Sequence, residues 1–128
     1  MQKNLNIIFK WKKKILIFDI DNTITKTTGK DYKNARPKKK IVYLINSLKK
    51  NGHYIKIYTG RYMGRHNNNA NLVKKKYYNS VEKQLRKWNL EYDELLLGKP
   101  SYDIFVDDKC INPKFNNLIH FLKKKKLI

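Results

Sequence analysis

The sequence predicts an α/β fold of three layers, a parallel sheet with helices on both faces. Two observations carry that prediction. Short apolar runs rich in β-branched and aromatic residues alternate with longer segments whose apolar residues recur at helical spacing. Each run then stops at an acidic, hydroxyl-bearing or glycine residue. The alternation implies parallel strands joined by right-handed crossovers. A chain of 128 residues holds one domain around one core, and it contains neither an internal repeat nor a linker long enough to divide it.

In chain order, residues 1–14 form a lead-in segment with room for a short edge strand at Asn6–Phe9. Ile15–Asp19 is the first strand, and Ile15-Leu16-Ile17-Phe18 has the continuous apolar character of a strand buried on both faces. Residues 22–37 are polar, end in Arg36-Pro37 and read as a loop with a small hairpin. From Lys38 to Lys50, Ile41, Leu44, Ile45 and Leu48 mark one face of a helix, which Asn51-Gly52 stops. Tyr54–Tyr58 is a second strand, and Gly60 lets the chain turn after it. After a loop at 61–71, Tyr77, Val81, Leu85 and Trp88 give the apolar face of a helix from about Leu72 to Trp88. Leu95–Leu97 is a third strand, closed by Gly98 and Pro100, and Ile104–Asp107 a fourth. Residues 113–128 are a helix, with Phe115, Leu118, Ile119 and Leu122 on one side, running into a solvated basic tail.

The formal net charge is +20, from 30 Lys+Arg against 10 Asp+Glu. Such a charge suits a polyanion. Nearly all of it is lysine, however, accompanied by abundant asparagine and isoleucine, a combination that AT-rich coding DNA produces by itself. Arginine, the better reader of bases and phosphates, is scarce, so nucleic acid is not the favoured partner. The single cysteine, Cys110, excludes an intramolecular disulfide framework and points to a reducing compartment, the cytoplasm. The apolar patch Ile7–Phe9 is too short for a signal-peptide core or a membrane span.

In a parallel α/β sheet the ligand sits beyond the carboxyl ends of the strands. That rule gathers Asp19 and Asp21, Thr59-Gly60, Gly98-Lys99 and Asp107-Asp108 in one place. Carboxylates crowded at a sheet edge are costly without a cation. Their hard oxygens suit Mg²⁺, which shares its site with a substrate phosphate, and a lysine adds a point charge on a phosphoryl oxygen. With Asp19 as nucleophile an aspartyl-phosphate intermediate becomes available, and Asp21 is placed to move the protons.

The four stretches together resemble the haloacid dehalogenase (HAD) superfamily. Asp19-Ile20-Asp21-Asn22-Thr23 is similar to its DxDxT signature, Thr59 in YTGR to its second motif, Lys99 in GKP to its third and Asp107-Asp108 in FVDDK to its fourth. The resemblance implies a Rossmann-like sheet, with Asp19 as nucleophile and metal ligand and Asp21 as general acid and base whose main-chain carbonyl also reaches Mg²⁺. It implies that Thr59 and Lys99 hold the phosphoryl group, and that Asp107 and Asp108 complete the metal site. Asn22 and Gly60 would contact the substrate at the same strand ends. Neither gap between the motifs leaves room for a cap domain, so a capless phosphatase is implied, with a homo-oligomeric partner as lid left open. FDIDNTIT, YTGRYMGR and GKPSYDIFVDD are also similar to small phosphatases of capsular and surface polysaccharide synthesis, which implies a sugar phosphate as substrate. The alternatives are a polyanion- or nucleic-acid-binding protein that keeps the fold, and a phosphatase acting on nucleic-acid phosphate ends.

Arg61 and Arg65 follow Thr59 closely and are candidates to grip an anionic part of the substrate, although solubility explains them equally. His66 reads as an exposed loop residue, and His53 and His120 have no partner visible in sequence. Cys110 reads as a small packing residue, and Trp88, Tyr77 and Tyr78 as core and helix surface rather than a stacking platform.

Overall fold

The structure, a computed structural model, describes residues 13–128. The edge strand expected at Asn6–Phe9 lies outside them. Three parallel strands, β1 (Ile15–Phe18), β4 (Tyr54–Thr59) and β5 (Glu94–Leu97), pair in the order β1-β4-β5. A two-stranded antiparallel ribbon, β2 (Thr25–Lys26) with β3 (Arg36–Pro37), is the small hairpin expected after the first strand. The α-helices are α1 (Lys39–Lys50), α2 (Ala70–Lys87) and α3 (Phe115–Lys124). The result is an α/β fold with a parallel sheet. No described helix is long and apolar enough to cross a membrane.

β4 is the central strand because it can bury alternate residues while pairing on both sides. Ile55, Ile57 and Thr59 point into the core, and the strand is in register with Ile15–Phe18 on one flank and Glu94–Leu97 on the other. α1 buries the four residues its spacing marks, Ile41, Leu44, Ile45 and Leu48. α2 starts two residues earlier than its apolar pattern does, because the Asn69 side chain accepts a hydrogen bond from the Leu72 N–H at 3.1 Å and caps it.

Four expectations need correction. β1 is not buried on both faces: Ile15 is 66% and Ile17 57% exposed on the face they share, which no described helix covers there, and among the described residues β1 pairs only with β4. Ile104–Asp107 is not a strand, and Ile104 and Val106 are 81% and 89% exposed. The reason is local. Ser101 donates from its N–H and its hydroxyl to the Asn68 side-chain carbonyl, at 2.9 and 2.8 Å. Tyr102 and Phe105 then pack edge to face and flank the Lys99 ammonium, 5.1 and 5.3 Å from their ring centres. The clasp holds the segment away from the sheet. Finally, the chain end is anchored. Leu127 is buried and its carbonyl meets Nε2 of buried His53 at 3.2 Å, while His53 Nδ1 accepts from the Lys14 N–H. Cys110 is exposed and does not pack in the core.

Asp93 fastens the start of β4. Its Oδ2 accepts from the Ile55 N–H at 2.7 Å, and its Oδ1 accepts from Lys49 Nζ of α1 at 2.9 Å. Burial pushes this carboxyl up, but the Ile55 amide and Lys49 outweigh it and hold it below its ordinary 3.8. A depressed carboxyl stabilises the fold above its unfolded value and loses that contribution as pH falls through the folded one. Asp93→Ala is therefore expected to cost about 1–2 kcal/mol at neutral pH. Urea unfolding should show the deficit shrinking in acid, and a deficit that persists there would contradict the assignment.

Candidate functional site

Beyond the ends of β1, β4 and β5 lies a recess of about 340 Å³, lined in part by Asp19, Asp21, Gly60, Arg61 and Lys99. The loop that carries the acidic pair is built on one carbonyl. Ile20 O accepts from the N–H groups of Thr23, Ile24 and Thr25 at 3.2, 2.8 and 3.1 Å. Ile20 and Ile24 are fully buried and pin the turn, while Asn22 takes a left-handed φ of 62°. The Asn22 side-chain carbonyl accepts from the Thr27 N–H at 3.1 Å, so it serves the loop and does not line the recess.

Asp19 and Lys99 are brought together as the strand-end rule requires. Lys99 Nζ stands 3.7 Å from Asp19 Oδ1, with their side chains 12% and 31% exposed. Gly60 makes the approach feasible: a Cβ there would lie 3.1 Å from the Lys99 carbonyl oxygen. Burial raises the Asp19 carboxyl above its ordinary 3.8 and outweighs the opposing pull of Lys99. For a carboxyl raised by folding, the sign is the reverse of that at Asp93. The native state is favoured below the unfolded value and loses that advantage as pH rises through the folded one. In metal-free buffer Asp19→Asn should therefore melt higher than wild type at neutral pH, with the gap closing below 3.8. A lower melting temperature would show that Asp19 stabilises the fold instead.

The second aspartate is organised by a residue whose role the sequence left open. Arg61 is 2% exposed and pairs with both oxygens of Asp21, Nε to Oδ2 at 2.8 Å and Nη2 to Oδ1 at 2.9 Å. Thr27 adds a hydroxyl donation to Asp21 Oδ1 at 2.7 Å. The guanidinium also donates to the Gln84 side-chain carbonyl and lies 5.0 Å from the Tyr32 ring centre. Thr59 is buried beneath this turn, and its hydroxyl accepts from the Arg61 N–H at 3.1 Å. Tyr62, with a φ of 69°, holds the chain in a conformation that costs a bulky residue about 1–3 kcal/mol. The buried neighbours Arg61 and Met63, and the stack of Tyr62 on Tyr77 at 3.7 Å, keep it there. Arg65 is exposed, lies over Tyr62 and does not line the recess. His66 meets the Tyr77 hydroxyl at 2.7 Å.

Asp107 and Asp108 do not join the recess. Both are exposed, and Asp107 Oδ1 accepts from the Lys109 N–H at 3.1 Å. That amide and the Asp108 contact keep the Asp107 carboxyl below its ordinary 3.8. Magnesium takes about six oxygen ligands. Here the 104–107 segment is held off by its clasp on Lys99, so Asp107 and Asp108 bring no oxygen to the recess. Among the described residues no group of three or more His, Cys, Asp or Glu is assembled to hold a metal. The expected set of Asp19, Asp21, Asp107 and Asp108 thus does not fit a magnesium ion in this arrangement.

No protein-family model and no curated protein matches the chain. Among solved structures, a structural-genomics target from Vibrio cholerae is similar, with a TM-score of 0.73 and 26% identity over 89% of this chain and 99% of that one. A chain of the Pnkp1/Rnl/Hen1 complex is similar in fold, with a TM-score of 0.50 and 23% identity over 87% of this chain. The match spans 34% of that longer chain.

Proposed function

We propose that the chain is a phosphomonoesterase, a capless three-layer protein of the haloacid dehalogenase type working in the cytoplasm. The folds of both neighbours are compatible with that class. The observation that carries the reading is the Lys99 ammonium 3.7 Å from the Asp19 carboxylate at the mouth of the recess. Asp19 attacks phosphorus, the bond from phosphorus to the leaving oxygen breaks, and an aspartyl-phosphate remains. Water then attacks phosphorus and frees both phosphate and Asp19. Lys99 supplies positive charge where the phosphoryl oxygens gather it. Asp21, held in one orientation by Arg61 and Thr27, is the proposed general acid and base. A small sugar phosphate suits the size of the recess.

The test is phosphate release across a panel of sugar phosphates and 4-nitrophenyl phosphate, with and without Mg²⁺. The resemblance implies a magnesium requirement that the present placement of Asp107 and Asp108 does not accommodate, and adding EDTA reads whether turnover needs the metal. Turnover that survives EDTA removes the metal and leaves Asp19 and Lys99. No release from any member of the panel, at any metal concentration, would remove the enzyme. The second reading, a polyanion-binding protein, is favoured by the +20 charge alone.

A further inference from the structure

A second cavity of about 680 Å³ adjoins the recess and shares Tyr32 and Arg61 with it. It runs between the turn at Tyr32–Asn34 and the last turns of α2. The side chain of Gln84 spans it underneath, donating to the Tyr32 carbonyl at 2.8 Å and accepting from Arg61. Its lining combines aromatic surface, from Tyr32 and half-buried Trp88, with the exposed lysines Lys33, Lys83 and Lys87; Tyr62 also lines it, but its ring is stacked on Tyr77 and lies under Arg65. Among the described residues no acidic side chain lines it. Lys83 and Lys87 stand one helical turn apart, about 6 Å along the axis.

We infer that this cleft binds the nucleotides behind a phosphorylated end of a single nucleic-acid strand, with the terminal phosphate in the recess. Aromatic faces beside a row of lysines are the combination that holds a single strand, because every base offers a face to stack and every linkage a charge. Free lysines on a solvated helix face need no aromatic neighbours. Here Tyr32 lies at the junction, its ring over Arg61 and edge to face with Tyr62 at 5.0 Å, so aromatic surface begins where the catalytic recess ends. A strand is favoured over a lone nucleotide because three lysines offer more positive charge than one nucleotide's remaining groups can use. The sugar phosphate of the proposed reaction then becomes the terminal nucleotide's own. The inference rests on the phosphatase reading only for its catalytic arm.

The experiment uses fluorescence anisotropy of a short 3′-phosphorylated oligothymidylate with the full chain. Lys83→Ala/Lys87→Ala is expected to weaken binding about tenfold and to reduce the slope of log affinity against log salt by about 1.4, at ~0.7 per lost contact on a single strand. Trp88→Leu, which keeps an apolar contact with the core, is expected to weaken it about tenfold by loss of stacking. Lys123→Ala/Lys124→Ala, on the exposed side of α3, controls for bulk charge and should change neither quantity. Equal weakening by the α3 pair, or no weakening by the cleft pair, overturns the inference. Competition by thymidine monophosphate at equal concentration overturns the strand in favour of a lone nucleotide. On the catalytic arm, the cleft pair should lower kcat/KM for the oligonucleotide about tenfold relative to 4-nitrophenyl phosphate. If cleft-dependent binding holds but no substrate is turned over, the phosphatase reading fails and the cleft stands. If small phosphates are hydrolysed while binding ignores the cleft, the reverse is true.

Discussion

Arg61→Met is expected to destabilise the protein by about 3–5 kcal/mol, the largest single-site loss outside the apolar core. The substitution keeps the bulk and removes the charge. Asp21, whose side chain is 18% exposed, then keeps only the Thr27 hydroxyl on Oδ1, and Gln84 loses the donor to its side-chain carbonyl. A half-buried carboxylate without its counter-charge is costly because water cannot take the guanidinium's place. Against a total stability of about 5–15 kcal/mol the loss removes a large share. Arg61→Lys should recover only part of it, since an ammonium cannot engage both oxygens and Gln84 together. Removing both partners in Arg61→Met/Asp21→Leu should cost less than the sum of the single changes. Urea unfolding of the four proteins reads the coupling directly. Additive losses, or a cost below about 1 kcal/mol for Arg61→Met, would show that the pair is a surface contact.

Asp19→Asn is expected to lower phosphate release by at least about 10³-fold, the scale on which removing a nucleophile acts. An amide oxygen is a poor nucleophile, yet it fits the same space, so the recess and its substrate affinity should survive. The same change should raise the melting temperature at neutral pH, because a raised carboxyl is an unfavourable charge in the native state. Loss of turnover with gain of stability is the combination expected of a side chain kept for chemistry. Loss of both would indicate a misfolded variant, and circular dichroism separates the two.

Much of this architecture was legible in the residues. The apolar periodicity of Ile41 to Leu48 and of Tyr77 to Trp88 depends only on local spacing; the first helix buries all four marked residues, while the second buries Val81 and Leu85, leaves Tyr77 and Trp88 half-buried and also buries Val73, which the pattern did not mark. The meeting of Asp19 with Lys99 followed from topology, because parallel strands bring distant strand ends together whatever lies between. The Ile104–Asp107 segment failed for a reason that local pattern does not contain. It has strand composition, but pairing needs a partner edge, and Ser101, Tyr102 and Phe105 instead make contacts that hold it elsewhere. Arg61 was equally hidden. Two residues beyond a strand, an arginine ordinarily reaches solvent, and only the left-handed turn at Tyr62 and the buried Met63 turn it inward. A signal was present in the short spacing from buried Thr59, whose hydroxyl receives the Arg61 amide. The lysine-and-aromatic cleft joins residues about fifty positions apart, Tyr32 to Gln84, so no window of sequence displays it.

Acid-quenching the protein during turnover of a phosphorylated substrate, followed by mass spectrometry of its peptides, asks whether phosphorus passes through Asp19. One added phosphoryl group is expected on the peptide that contains Asp19, and none in Asp19→Asn. Steady release of phosphate with no phosphoryl group on that peptide, and undiminished in Asp19→Asn, would contradict a route through Asp19.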